Sequence, residues 1–112
     1  MRILYIAAAD PYRDAHAQEL LDALLVAATF GAEVSLLFQD DGVLQLLAGQ
    51  DGKALGRRTL GAQLEALPLF DVENLHADAV SLQERGLSTD DLLLPVTVLT
   101  VPELAALLAR HD

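Results

Sequence analysis

Two adjacent aspartates and a glycine stand directly after an apolar stretch, in the segment LLFQDDG that ends at Gly42. Carboxylate oxygens are the ligands that hard cations such as Mg²⁺ prefer, so Asp40 and Asp41 could hold a metal ion at the end of a strand. Aspartates in this position also begin helices, because their oxygens accept hydrogen bonds from the first free backbone N–H groups. Capping by Asp41 explains the placement without a ligand, and we prefer it.

Three aspartates allow an alternative, a receiver-like or metal-dependent signalling module. Asp10, Asp41 and Asp78 each follow or end a predicted strand, and ligands of parallel sheets bind beyond the carboxyl ends of the strands. A phosphorylated aspartate needs a cation beside the developing charge. The only lysine, Lys53, lies in a predicted loop, and nothing basic follows the last predicted strand until Arg110. The signalling module is therefore the second choice.

Other catalytic patterns are missing from the sequence. The chain has no cysteine, which excludes disulfides, thiolate metal sites and cysteine nucleophiles. No glycine-rich phosphate motif follows the first predicted strand, and no serine stands in a G-x-S-x-G elbow. The histidines also lack metal-ligand spacing; they are His16, His76 and His111. We therefore predict no catalytic residue, no metal and no cofactor.

Charge limits the partners that this chain can bind. Seven Lys and Arg residues against seventeen Asp and Glu residues give a formal net charge of -10. Nucleic-acid binding depends on the neutralisation of phosphates by basic side chains, and the basic residues are scattered along the sequence. Direct contact with RNA or DNA is not expected.

Hydropathy predicts a soluble protein that uses some apolar surface for assembly. Hydrophobic residues make up 53% of the chain, which is high for a small domain and indicates that part of the apolar surface faces a partner. No apolar run approaches the roughly 20 residues that span a bilayer. The N-terminus turns polar too early for a secretory signal, so we expect a cytoplasmic protein without membrane contact.

Apolar periodicity predicts strands that alternate with helices. The strands are expected at 2–9, 32–38, 74–79 and 95–100. The most regular helix is expected from 14 to 30, with Gly31 as its stop. Shorter helices are expected through Leu47, over 57–67, from Ser81 to Gly86 and after Thr100. Such alternation requires right-handed crossovers, which predicts one α/β domain over residues 1–112: a three-layer, flavodoxin-like parallel sheet of four to five strands flanked by helices.

Two S/T-x-x-E spacings indicate where the later helices begin. Ser81 precedes Glu84 by three residues, and Thr100 precedes Glu103 by three residues. In this capping box, the hydroxyl and the carboxylate satisfy free N–H groups reciprocally. Ser81 and Thr100 are therefore predicted helix caps.

Three stretches contain recognisable sequence motifs: DDGVLQLLAGQ (40–50), LEALPLFDVENLHADAVSLQERGL (64–87) and LAALLARHD (104–112). Together they resemble the TusC or DsrF branch of the DsrE-like sulfur relay family. The resemblance implies a non-catalytic subunit of a cytoplasmic hetero-oligomer. Its partners would be a DsrE/TusD-like subunit that carries a persulfide on a cysteine, and a DsrH/TusB-like subunit. In Tus systems the sulfur goes towards 2-thiolation of the tRNA wobble uridine, and in Dsr systems the setting is sulfur oxidation.

The resemblance also locates the position of the carrier cysteine. In the family's carriers it lies in the turn from the third strand to the next helix, which matches HADAVSLQERGL here. That segment offers Asp78 and Ser81, and neither a carboxylate nor a hydroxyl can replace a thiolate in persulfide chemistry. This chain is not expected to carry the sulfur.

Surplus apolar residues predict the interface with a partner. In the long helix, the leucines from Leu20 to Leu25 supply one face for the protein's own sheet, and a second apolar face is left over. The short helix after Asp41 is expected to lie beside the same interface. The candidate interface residues are Ala23, Val26, Ala27, Phe30, Val43 and Leu44.

Overall fold

A parallel four-stranded sheet forms the centre of the computed structural model, which describes residues 2–8, 16–46, 63–92 and 94–110. The strands lie side by side in chain order; they are β1 (Arg2–Ala7), β2 (Glu33–Phe38), β3 (Asn74–Asp78) and β4 (Thr97–Leu99). Every neighbouring pair is parallel, with Leu4 opposite Ser35 and Leu37 opposite His76. The predicted α/β class and parallel sheet are confirmed.

Helices alternate with these strands. The structure gives the bounds of three α-helices, α1 (His16–Thr29), α2 (Ala79–Glu84) and α3 (Val101–Ala109), and residues 63–65 are also α-helical. Its 3-10 helices include Asp40–Leu46, Leu67–Phe70 and Thr89–Asp91. The helix predicted over 57–67 lies mostly outside the described residues. Its described part is α-helical over residues 63–65, and Pro68 follows in the first turn of Leu67–Phe70. Within the described ranges, no helix is long and apolar enough to cross a membrane.

The strand order places most connecting segments on one face of the sheet. Right-handed crossovers between strands that advance in one direction all pack on the same side. The main core cluster accordingly joins Leu24 of α1, Phe38 of β2 and Leu82 of α2. The side chains of Leu24 and Phe38 are completely buried. This face holds the larger of the two hydrophobic layers.

The opposite face is covered by α3. Leu107 packs there against Leu37 and Leu99, with Leu4 partly buried beside them. Side chains along a strand alternate between the faces, so Ile6 shares this face with Leu4. Ile6 is 40% exposed, which shows that the nine residues of α3 leave part of the second face open.

Two helix ends follow local sequence signals. Gly31 has a φ of +90°, and its N–H donates to the carbonyl oxygen of Ala28 at 3.0 Å, which ends α1 as predicted. Glycine suits this left-handed conformation because it has no Cβ. At the start of α3, Thr100 is the N-cap residue, and its backbone N–H donates to Oε1 of Glu103 at 3.0 Å. This bond and one from the Thr100 hydroxyl hold the pKa of Glu103 below its ordinary value.

Candidate functional site

The carboxyl ends of β2 and β3 bring two turns together. One turn leads from Phe38 into the 3-10 helix Asp40–Leu46, and the other leads from Asp78 into α2. Because β2 and β3 are hydrogen-bonded neighbours, the two turns lie side by side. This edge of a parallel sheet is where ligands bind in open α/β folds.

Asp78 caps α2. Its backbone is extended, with φ −74° and ψ 120°, and its Oδ1 accepts a hydrogen bond from the N–H of Val80 at 3.2 Å. The helix therefore begins at Ala79, two residues before the predicted cap, and the prediction of Ser81 as the cap is wrong. Asp78 takes the role because it ends the strand and its short side chain reaches back to a free N–H group.

Ser81 joins the two turns from inside α2. Ser81 is only 3% exposed. Its hydroxyl donates to Oδ2 of Asp78 at 2.7 Å and accepts from the backbone N–H of Asp40 at 2.9 Å. This pair of bonds ties the β3–α2 turn to the β2 turn, so the buried hydroxyl positions the backbone.

Asp41 forms an ion pair and does not cap a helix. It is the second residue of Asp40–Leu46, and its Oδ1 accepts from Nη2 of Arg85 at 3.0 Å. Arg85 also donates from Nη1 to the carbonyl oxygen of Ser81 at 3.1 Å. The predicted capping role of Asp41 is therefore corrected: its carboxylate faces α2 across the gap between the turns. Arg85 was not among the predicted site residues, although its position four residues after Ser81 places both on one helix face.

Gly42 allows the first 3-10 helix to lie directly against β1. A Cβ built on Gly42 would stand 1.7 Å from the carbonyl oxygen of Ala7 and 2.4 Å from its carbonyl carbon. The N–H of Gln39 donates to that same oxygen at 3.0 Å. The glycine after the two aspartates is thus required by a close backbone contact.

The aspartates proposed for a cation site have other partners. Asp41 accepts from Arg85, and Asp78 accepts from Val80 and Ser81. Asp10 lies outside the described residues. Among the residues that the structure describes, no group of three or more His, Cys, Asp or Glu side chains could hold a metal ion. The signalling alternative therefore gains no support from this geometry.

The candidate interface residues divide into two groups. Val26 is 57% exposed and Phe30 is 86% exposed, and Ala23 beside them is also exposed. Val43 is completely buried in the main core, so its assignment to the interface is wrong; the short 3-10 turn directs its side chain towards the sheet. Ala27 is half-buried and also packs against that core.

Leu44 is half-buried, and its place in the interface stays a prediction. Ala23 and Val26 of α1 and Phe30, the residue that follows α1, form an exposed apolar surface that is called the α1 face below.

The sequence profile of the DsrE/DsrF-like family matches residues 1–112. The chain belongs to the DsrE/DsrF-like family. Relatives confirm the branch that the motifs indicated. The chain is 42% identical over 110 residues to a TusC homolog from Pseudomonas aeruginosa, covering 98% of this chain and 92% of that protein.

Two further relatives are similar over most of this chain. It is 37% identical over 92 residues to the intracellular sulfur oxidation protein DsrF from Allochromatium vinosum, covering 82% of this chain and 68% of that protein. It is 33% identical over 107 residues to a TusC homolog from Vibrio vulnificus, covering 96% and 91% of the two chains.

Solved structures support the fold of this family member. The crystal structure of the ychN protein from E. coli has a TM-score of 0.83 and 23% identity, covering 100% of this chain and 95% of that chain. The protein of unknown function MTH1491 from Methanobacterium thermoautotrophicum has a TM-score of 0.68 and 18% identity, covering 97% and 88%. At these identities, the likeness establishes the fold alone.

Removal of the Ser81 hydroxyl is expected to loosen both turns. Ser81→Ala should lower the free energy of unfolding by about 1–3 kcal/mol, because a partly buried N–H loses its acceptor and a carboxylate loses a donor. Urea denaturation would measure the loss. Hydrogen exchange at the Asp40 amide should accelerate, whereas Ser88→Ala, which removes an exposed hydroxyl that bonds Asp91, should leave that amide unchanged. Unchanged exchange in Ser81→Ala would contradict the bridging role.

Proposed function

We propose that this chain is a subunit of a cytoplasmic sulfur relay hetero-oligomer, carries no sulfur itself, and is not an enzyme on its own. The observation that carries the proposal is the identity of the residues in the β3–α2 turn. Asp78 and Ser81 stand in the segment that matches the carrier cysteine of the family, and they are hydrogen-bonded to each other at 2.7 Å. The whole sequence contains no cysteine.

The start of a helix favours a cysteine in a carrier subunit for an electrostatic reason, and Asp78 occupies that place in this chain without a thiol. Free N–H groups at the start of a helix favour an anion and lower the pKa of a nearby thiol. In this chain the carboxylate of Asp78 accepts the hydrogen bond from Val80 at that place. A carboxylate can accept this hydrogen bond, but it cannot form a persulfide. Sulfur transfer would therefore require a cysteine from another subunit.

The relatives support the relay setting. They are named TusC homolog and intracellular sulfur oxidation protein DsrF. We propose a DsrE/TusD-like subunit with the carrier cysteine and a DsrH/TusB-like subunit as partners, and 2-thiolation of the tRNA wobble uridine as the destination of the sulfur. Sulfur oxidation is the alternative destination that the DsrF relative suggests.

Charge supports a protein partner for this subunit and opposes direct RNA contact. The formal net charge is -10. Arg85 is paired with Asp41, and Nε of Arg2 lies 3.5 Å from a carboxylate oxygen of Glu33. Arginines paired in this way leave fewer cationic groups to neutralise phosphates. In this proposal the tRNA meets other components, and the α1 face binds a partner subunit.

A reconstituted relay would test the proposal. The chain, co-expressed with a cysteine-bearing DsrE-like subunit and a DsrH-like subunit, should elute as one stable complex in size-exclusion chromatography. Transfer of ³⁵S from that complex to an acceptor protein should change less than about threefold with Asp78→Ala, because the sulfur never resides on this chain. Asp78→Asn, which keeps an acceptor for the helix cap, is the matched control.

Two results would contradict this function. The first is elution of the chain as a monomer that binds neither subunit. The second is a loss of transfer greater than about tenfold, or ~1.4 kcal/mol of transition-state stabilisation, in both Asp78 variants with assembly unchanged. That loss would place the Asp78 carboxylate in the chemistry.

A further inference from the structure

A groove opens at the amino ends of β3 and β4, at the opposite edge of the sheet from Asp78. Its volume is about 460 Å³, and the described residues that line it are Glu65, Pro68, Glu73, Leu75, Leu94 and Pro95. Leu75 and Leu94 are buried, whereas the two glutamates and the two prolines are exposed. The groove therefore has two buried leucine side chains at its base and two solvent-exposed carboxylates.

Exposed apolar side chains follow Pro68, which is one of the residues that line this groove. In the 3-10 helix Leu67–Phe70, Leu67 is completely buried, Leu69 is 85% exposed and Phe70 is 45% exposed. Side chains three residues apart eclipse in a 3-10 helix, so Phe70 follows the direction of Leu67 and is partly covered, whereas Leu69 points away from the core. Neighbouring apolar side chains that are left exposed to solvent are typical of protein interaction surfaces.

Charge decides what kind of occupant the groove accepts. Glu65 and Glu73 are both exposed, and the chain carries a formal net charge of -10. A second copy would bring further negative charge towards the same carboxylates, and like charges that face each other across an interface disfavour association. A Lys or Arg side chain beside an apolar residue would instead satisfy the carboxylates and fill the apolar base.

We propose that this groove binds an apolar segment carrying a lysine or arginine, supplied by a partner subunit of the relay complex. The assignment rests on the proposed function and deepens it. A subunit with two different partners needs two separate binding surfaces, and the groove with Leu69 lies on a different element from the α1 face. Leu69 anchors the apolar part of the segment, and Glu65 and Glu73 bind its cationic side chain.

Affinity measurements on the assembled complex test this assignment. The probe is the co-purified pair of DsrE-like and DsrH-like subunits, titrated with the chain by calorimetry at about 50 mM and 500 mM NaCl. Leu69→Asp should weaken binding at least tenfold. The double variant Glu65→Lys with Glu73→Lys should weaken binding at least tenfold at low salt and should reduce its salt dependence, because exposed charges are screened by salt.

A matched control and three outcomes make the result decisive. Glu84→Lys reverses an exposed charge on α2, outside the groove, and should bind like the wild type. Wild-type affinity in the Leu69 and glutamate variants would overturn the groove assignment and leave the proposed function standing. Variants that lose stability as isolated chains but keep their affinity would also overturn it. No binding by the wild-type chain would overturn the proposed function and the groove assignment with it.

Discussion

Gly42→Ala is expected to lower the free energy of unfolding by about 3 kcal/mol or more. A Cβ at this position would lie 1.7 Å from the carbonyl oxygen of Ala7 and 2.9 Å from the nitrogen of Ala8. Backbone atoms at the end of β1 cannot rotate away as a side chain can. The 3-10 helix Asp40–Leu46 must therefore move off the sheet, and the bond from Gln39 to Ala7 must lengthen or break.

Urea denaturation followed by circular dichroism would measure this loss. Gly86→Ala is the matched control: its φ of +67° strains any residue with a Cβ, but nothing lies within 4 Å of the added atom. That strain alone costs about 1–2 kcal/mol. A loss at Gly42 no larger than the loss at Gly86 would show that the two backbones separate easily.

Val43→Asp and Val26→Asp should give opposite results, although both residues were predicted to lie in the interface. Val43 is completely buried in the main core, and an unpaired carboxylate costs several kcal/mol to bury. Because small domains are stabilised by only about 5–15 kcal/mol in total, Val43→Asp should abolish or severely reduce the folded population. Val26 is 57% exposed, so Val26→Asp should fold normally and weaken assembly at least tenfold.

Thermal unfolding of the isolated chain, together with size-exclusion chromatography of the complex, separates these effects. Ala105→Asp introduces the same charge at an exposed position of α3, away from the α1 face, and should change neither result. If Val26→Asp leaves no soluble protein, that position belongs to the core. If it assembles like the wild type, the α1 face does not bind the partner.

Local patterns in the sequence were sufficient for the fold class and for several element ends. Apolar runs and helical periods predicted the four strands of the sheet and α1, because burial of an apolar face requires those spacings. Gly31 and the pair Thr100 and Glu103 predicted the end of α1 and the start of α3. These signals act within one helical turn, so they operate wherever the segment lies in the fold.

The tertiary structure decided which of several equivalent local choices was realised. Ser81 and Asp78 were both suitable caps for α2. Asp78 took the role, and the hydroxyl of Ser81 accepts from the N–H of Asp40, forty-one residues away. The carboxylate of Asp41 pairs with Arg85, forty-four residues away, and the side chain of Val43 packs in the main core. Such outcomes depend on which strands become neighbours, and in this sheet the order β1-β2-β3-β4 brings the β2 and β3 turns together. Short-range periodicity contains no information about that order. The same strands could lie side by side in a different order with every hydrogen bond inside the helices and turns intact.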